Sequence, residues 1–221
     1  MYRKERDNMF DENIKKANKT KADTIIKALE KRGIKGYYCD TREEALELAL
    51  SFINEGDKVA CGGSVTLGEI GLKDRLGDMN IDWVDPFKFT DPDEMFEERV
   101  RTLTTDIYFM SSNAVTMDGI LVNIDGTGNR VAALCYGPKK VVLVVGANKI
   151  VGSEEEAVAR IKTDACPPNC IRLGKKTPCA TTGKCGNCLS QGNTICSYTV
   201  STRFCSTGRI HVILVNDYLG Y

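Results

Sequence analysis

The stretch from Lys58 to Thr66, K-V-A-C-G-G-S-V-T, decides the fold. Lys58 to Cys61 predicts a compact apolar strand, Gly62 and Gly63 turn the chain, and Ser64 can cap a helix whose buried residues would be Leu67, Ile70, Leu72 and Leu76. Strand, glycine turn and helix in that order make the repeating unit of a parallel sheet flanked by helices.

The same alternation extends in both directions. Upstream, residues 5 to 32 predict one long helix, with Phe10, Ile14, Ala17, Ala22, Ile25, Ile26 and Leu29 near a 3.6-residue repeat and Gly33 as the stop. A strand at Gly36 to Cys39 follows, then a helix opened by a Thr41/Glu44 capping box and buried through Ala45, Leu46, Leu48, Ala49 and Ile53. Downstream come a strand at Ile81 to Asp85, a loop between Pro86 and Pro92, a helix capped by Asp91 or Asp93, and a strand at Ile107 to Met110.

Beyond Ser111 the rhythm shifts to four short strands at Asn113 to Thr116, Ile120 to Ile124, Arg130 to Tyr136 and Lys140 to Val145, separated by glycine-bearing turns. Ser153 and Glu156 open a further helix to Thr163, and the apolar run Ile210 to Val215 suits the middle of a sheet. The expected fold is α/β, a mixed, mainly parallel sheet flanked by helices. It forms a single domain over residues 1 to 221, with a cysteine-rich metal-binding insertion at 165 to 206.

Composition narrows the function. Thirty basic and thirty acidic residues cancel, which argues against nucleic acid or an anionic membrane as partner. The N-terminal residues are highly charged, without the apolar core of a secretory signal, and no apolar run approaches the roughly 20 residues of a membrane span. The expectation is a cytoplasmic protein, in which ten cysteines serve as thiols, metal ligands or catalytic groups more than as disulfides.

Three stretches carry candidate chemistry. Glycines before a helix N-terminus let an anion approach the backbone, so Gly62, Gly63, Ser64 and Thr66 form either an anion seat or an ordinary strand-to-helix turn. No Gly-Lys-Ser/Thr follows, which excludes a Walker A loop. In D-G-T-G-N-R, Asp125, Thr127, Asn129 and Arg130 gather a carboxylate, a hydroxyl, an amide and a guanidinium around Gly126 and Gly128, more than a hairpin needs, although a structural turn is the alternative.

The third is T-P-C-A-T-T-G-K-C-G-N-C-L-S-Q-G-N-T-I-C, with Cys179, Cys185, Cys188 and Cys196 in a C-x5-C-x2-C-x7-C spacing and Cys166 and Cys170 upstream as spare ligands. Three readings compete: a four-thiolate iron–sulfur cluster of the 4Fe-4S kind, a structural four-cysteine zinc site, and unligated or disulfide-paired thiols. Cys61 and Cys135, near strand ends beside the two loops, are further ligand or thiol candidates, with plain burial as the alternative. His211, the only histidine, reads as a satisfied or edge residue.

Taken together, V-A-C-G-G-S-V-T-L-G-E-I-G, S-S-N-A-V-T-M-D-G-I-L-V-N-I-D-G-T-G-N-R-V-A-A-L-C-Y-G-P-K-K-V, T-P-C-A-T-T-G-K-C-G-N-C and G-R-I-H-V-I-L-V-N resemble the LUD (lactate-utilisation) domain proteins, in particular short single-domain members from anaerobic bacteria, over roughly residues 5 to 221. The resemblance implies a fold like the NagB/RpiA/CoA-transferase superfamily and a link to lactate or a related small organic acid. Larger relatives pass electrons through ferredoxin-type modules; the run C-x-x-C-x-x-C-x-x-x-C-P is lacking here.

The resemblance also implies a small anionic substrate held by Gly62, Gly63, Ser64, Thr66, Asn123, Thr127, Gly128, Asn129 and Arg130, with the amides near Gly63 and the Arg130 guanidinium on the anion. Glu69, Asp118 or Asp125 would supply the acid or base. The activity expected is that of an oxidoreductase or lyase, or of one of its subunits, with an electron-transfer partner and a homodimer as expected associations. The alternatives are a non-redox protein binding a sugar phosphate or CoA ester, and an iron–sulfur sensor.

Overall fold

The computed structural model describes residues 11–221. The first turns expected of the long helix, Phe10 included, lie outside the described residues. Helix α1 runs Glu12–Lys31, with the Asp11 carboxylate accepting the N–H groups of Asn13 and Ile14 at 2.8 and 2.9 Å. Its Ala22, Ile25 and Leu29 are buried.

In chain order there follow β1 (Lys35–Cys39), α2 (Arg42–Leu50), β2 (Lys58–Cys61), α3 (Val65–Glu69), α4 (Leu72–Gly77), β3 (Asp82–Val84), α5 (Pro92–Thr102), β4 (Ile107–Met110), β5 (Ala114–Thr116) and β6 (Leu121–Asp125). Then come α6 (Asn129–Cys135), β7 (Lys140–Gly146), β8 (Ile150–Val151), α7 (Glu154–Arg160), α8 (Cys166–Arg172), α9 (Pro178–Thr182), β9 (Tyr198–Thr202) and β10 (Ile210–Val215).

Six strands form a parallel sheet in the order β1-β10-β7-β4-β2-β3. Its central strands β7 and β10 are covered on both faces, which is why they read as unbroken apolar runs. Val141, Leu143 and Val145 pack with Ile25 and Leu29 of α1 and Leu134 of α6, while Val142 and Val144 pack with Ala45, Leu67 and Leu72 of the opposite layer. Each fully buried Ile or Leu contributes about 1.5–3 kcal/mol.

A second, mixed sheet has the order β8-β5-β6-β9. Its β5–β6 hairpin is antiparallel, and α7 and α8 cover it through Ala157, Ile161, Ala165 and Cys166. The segment from 165 to 206 is tied to this body at both ends. It begins inside a helix, since α7 passes through a π turn at Ile161–Ala165 into α8, and it ends in β9, whose Tyr198 pairs with Asp125.

Several local expectations need correction. Residues 130 to 136 are the helix α6, not a strand. Gly128 takes φ 93°, a left-handed conformation open to glycine, the Asp125 carboxylate accepts its N–H at 2.7 Å, and Val131 and Leu134 then bury one helical face. The stretch also carries two helix-favouring alanines, Ala132 and Ala133. The single helix expected after Ser64 is two, broken at Gly71 with φ 78°. Both capping boxes close one residue further back than expected: Glu44 accepts the N–H of Asp40 and Glu156 that of Gly152.

Candidate functional site

A cleft of about 290 Å3 opens at the carboxyl ends of β2, β4 and β7, where a parallel sheet presents its loops to ligands. Gly62, Gly63, Ser64 and Thr66 form one wall; Asp125, Thr127, Asn129 and Arg130 form another. Arg99 and Arg172 add positive charge to the lining, with Arg172 half-tethered by its bonds to Asn169. Ser64 accepts the N–H of Leu67 at 3.4 Å, and the first turn of α3 leaves its other N–H groups without intrahelical acceptors.

Arg130 is held by acceptors of the protein itself. Its Nε donates to Asp125 Oδ2 (2.9 Å), Nη1 to Ser111 O (3.1 Å) and Asn123 Oδ1 (2.7 Å), and Nη2 to Asn113 Oδ1 and Ile124 O (3.0 Å each). All five N–H donors of a guanidinium are thereby engaged. Arg130 braces the cleft wall and fixes Asp125, so the anion clamp expected of it is not free to form without breaking these bonds.

The other expected residues divide by position. Asn123 is fully buried behind the wall, its Nδ2 lacking a partner among the described residues, and Gly128 caps α6; neither lines the cleft. Glu69 lies outside the lining and accepts the Gly220 N–H at 2.6 Å. Asp118 sits at the far turn of the β5–β6 hairpin, paired with Arg32 at 2.9 Å, so the hairpin length separates it from the cleft. Of the three carboxylates proposed as acid or base, Asp125 alone faces the cleft.

Lys149 was missed by sequence reasoning. It ends the short 3-10 turn after β7, is 3% exposed, and lines the cleft. Its Nζ donates to Thr66 Oγ1 at 2.9 Å and to Ser111 Oγ at 3.0 Å. Burial, followed by the nearby Arg160 and Arg130 charges, pushes its pKa down to about 7. A lysine three residues beyond the continuous run V-V-L-V-V-G was the available signal, since it places a long cation where a buried strand leaves the sheet.

The thiols gather in pairs. Cys166 and Cys196 bring their sulfurs to 3.3 Å, and Cys179 lies 3.7 Å from Cys170. Cys166 and Cys170 are four residues apart on α8, hence on one helical face. Cys166 also lines the cleft. The Cys166 S–H held toward Cys196 pulls the Cys196 thiol down to about 7, whereas Cys166 itself is pushed up.

Cys185 and Cys188 turn to Asn187 (3.9 Å) and Thr194 (3.5 Å), so the four cysteines expected as one ligand set are not the ones in closest contact. Among the described residues no three His, Cys, Asp or Glu groups converge on one ion position. Cys61 is buried and its thiol is raised to about 12 by desolvation; Cys135 is exposed at the end of α6, not buried.

The fold and cleft define a class: an α/β protein with a helix-flanked parallel sheet and a ligand-sized opening at its carboxyl edge. Within that class, the family model described as LUD domain matches residues 22–215, and the chain belongs to this family. Among solved structures it is similar to a DUF162 family protein from Deinococcus radiodurans, at 13% identity and TM-score 0.50, covering 90% of this chain and 98% of that one. A D-ribose-5-phosphate isomerase in complex with phospho-erythronic acid aligns at 19% identity and TM-score 0.32, over 50% of this chain and 53% of that one. No curated protein matches the chain. Among the described residues no helix is long and apolar enough to cross a membrane.

Proposed function

We propose that the chain handles a small organic acid of the lactate kind in the cleft between the Gly62–Thr66 loop and the Asp125–Arg130 turn. The observation that carries this reading is the convergence of uncommitted backbone at the start of α3, the arginines Arg99 and Arg172, and the buried amine of Lys149 on one cavity of ligand size. A carboxylate would take the backbone N–H groups and the arginines, which leaves Lys149 and Asp125 for the hydroxyl or carbonyl on the adjacent carbon.

Calorimetric titration of the whole protein with L-lactate and with ribose 5-phosphate tests the reading. Binding of the hydroxy acid alone supports it; binding of the sugar phosphate alone would transfer the site to the non-redox class.

The thiol-rich segment supports an iron–sulfur cluster beside this cleft. The donor set is all sulfur, which suits an iron–sulfur centre, and four of its members come in two apposed pairs. Cys166, Cys170, Cys179 and Cys196 would then hold it, and Cys185 and Cys188 would be the reserve. When bound, such a group supplies one-electron transfer next to the substrate. Anaerobic purification with iron, sulfide and zinc analysis separates this from the zinc and metal-free alternatives.

A further inference from the structure

We infer that Lys149 is a carbonyl-capturing amine, forming an imine with a 2-oxo acid whose carboxylate lies against the Gly63–Thr66 loop. The inference deepens the organic-acid reading and rests on it.

The hydrogen bonds around Nζ suit a neutral amine. Thr66 gives its hydroxyl proton to Leu219 O at 3.3 Å, and Ser111 gives its own to Ser112 O at 3.2 Å, so both oxygens have only lone pairs for Lys149. Those two acceptors match the two N–H groups of a neutral amine. An ammonium would carry a third proton, and among the described residues no third acceptor and no carboxylate within ion-pair distance meets it. The neutral form keeps a nucleophilic lone pair.

The surroundings favour that form. Arg160 donates to Asn148 O and Asn113 O beneath the cleft, Arg130 braces its wall, and Glu69 on α3 is the one opposing charge with a sensible pull on Lys149. Desolvation plus neighbouring cations is the environment that turns a lysine into a carbonyl nucleophile at neutral pH. Burial of this amine without a carboxylate at hydrogen-bond distance costs stability, whereas capture of a carbonyl uses it.

The chemistry balances without an added redox partner. The Nζ lone pair attacks the oxo carbon, the C–N bond forms, and the carbonyl π electrons move to oxygen. A proton passes from nitrogen to that oxygen, and the carbinolamine loses water to give C=N. Nothing is oxidised or reduced until a hydride reagent is supplied.

The test incubates the full chain with pyruvate and sodium cyanoborohydride, which reduces the imine to a stable secondary amine, followed by peptide mass spectrometry. One carboxyethyl group on Lys149, formed about tenfold or more faster than on any other lysine, is expected. The yield should rise through about pH 7 and level off, while surface lysines keep gaining reactivity toward pH 10. L-lactate, which has no carbonyl, should leave no adduct, and Lys149→Met should remove the labelled peptide. If calorimetry shows that pyruvate binds yet Lys149 remains unmodified, the inference is overturned and the organic-acid reading stands; if neither pyruvate nor lactate binds, the underlying reading is the one that fails. Should Lys149→Met not fold, Lys149→Gln keeps a neutral hydrogen-bonding side chain that cannot form the imine.

Discussion

The Nζ of Lys149 lies 2.9 Å from Oγ1 of Thr66, a bond between residues 83 apart in sequence. It ties the loop leaving β7 to the first turn of α3 and thereby sets the floor of the cleft. Thr66 also reaches Leu219 O, so one hydroxyl joins three loops.

Thr66→Val removes that hydroxyl at nearly constant volume and strands one amine proton in a buried site. A loss of about 1–3 kcal/mol in urea unfolding is expected, together with weaker ligand binding. An unchanged midpoint would show that the three-loop junction contributes nothing.

Arg130 should be irreplaceable even by lysine, because five acceptors from two stretches of chain, 111–113 and 123–125, surround one planar group. Arg130→Met leaves Asp125 nearly buried without its partner, and a cost of about 3–5 kcal/mol in chemical denaturation is expected. Arg130→Lys should recover less than half of it. Full recovery by lysine would mean that charge alone, not the fork of donors, matters.

Gly63→Asp puts a carboxylate at the proposed anion position, where the added carbon meets only the movable ring tip of Phe87 at 3.1 Å. Calorimetry should register a fall in L-lactate affinity of about tenfold or more, the size of a like-charge contact, without loss of fold. Equal affinity in variant and parent would remove this loop from the site.

His211 predicts an acid-sensitive window. Its Nδ1 lies 3.1 Å from the Tyr37 hydroxyl; burial first, then Lys35 and Lys140, pushes its pKa from 6.5 down to about 4. Above pH 6.5 folded and unfolded chains are both neutral here. Between 6.5 and 4 the unfolded chain binds a proton that the folded chain refuses, so stability falls as pH falls, by roughly 1–3 kcal/mol, with no further loss from this group below 4. His211→Gln should flatten that part of the stability profile; a profile identical to the parent's would exclude the histidine as its source.

The thiols predict a split among single substitutions. Cys166→Ser and Cys170→Ser should each lower iron and sulfide content more than Cys185→Ser or Cys188→Ser, since the first two sit in the apposed pairs. The reverse order would restore the spacing-based ligand set Cys179, Cys185, Cys188 and Cys196.

Local order was legible because it is written in short-range periodicity. The run K-V-A-C followed by two glycines and a serine cap became β2 and α3 within a residue, and I-H-V-I-L-V became a central strand, since full burial on both faces demands an unbroken apolar run. The Asp125–Arg130 turn and the Gly62–Thr66 loop were identified for the same reason: turn residues and a helix start announce themselves within a few positions.

Tertiary structure alone decided what those groups do. It turned 129–135 into a helix through one aspartate–glycine bond, spent all five donors of Arg130 inside the protein, sent Asp118 to the wrong end of a hairpin, and paired Cys166 with Cys196 across thirty positions of chain. Above all it buried Lys149 between two hydroxyls from distant loops. A side chain's protonation and reactivity depend on who its neighbours are in space, and a sequence names neighbours only along the chain.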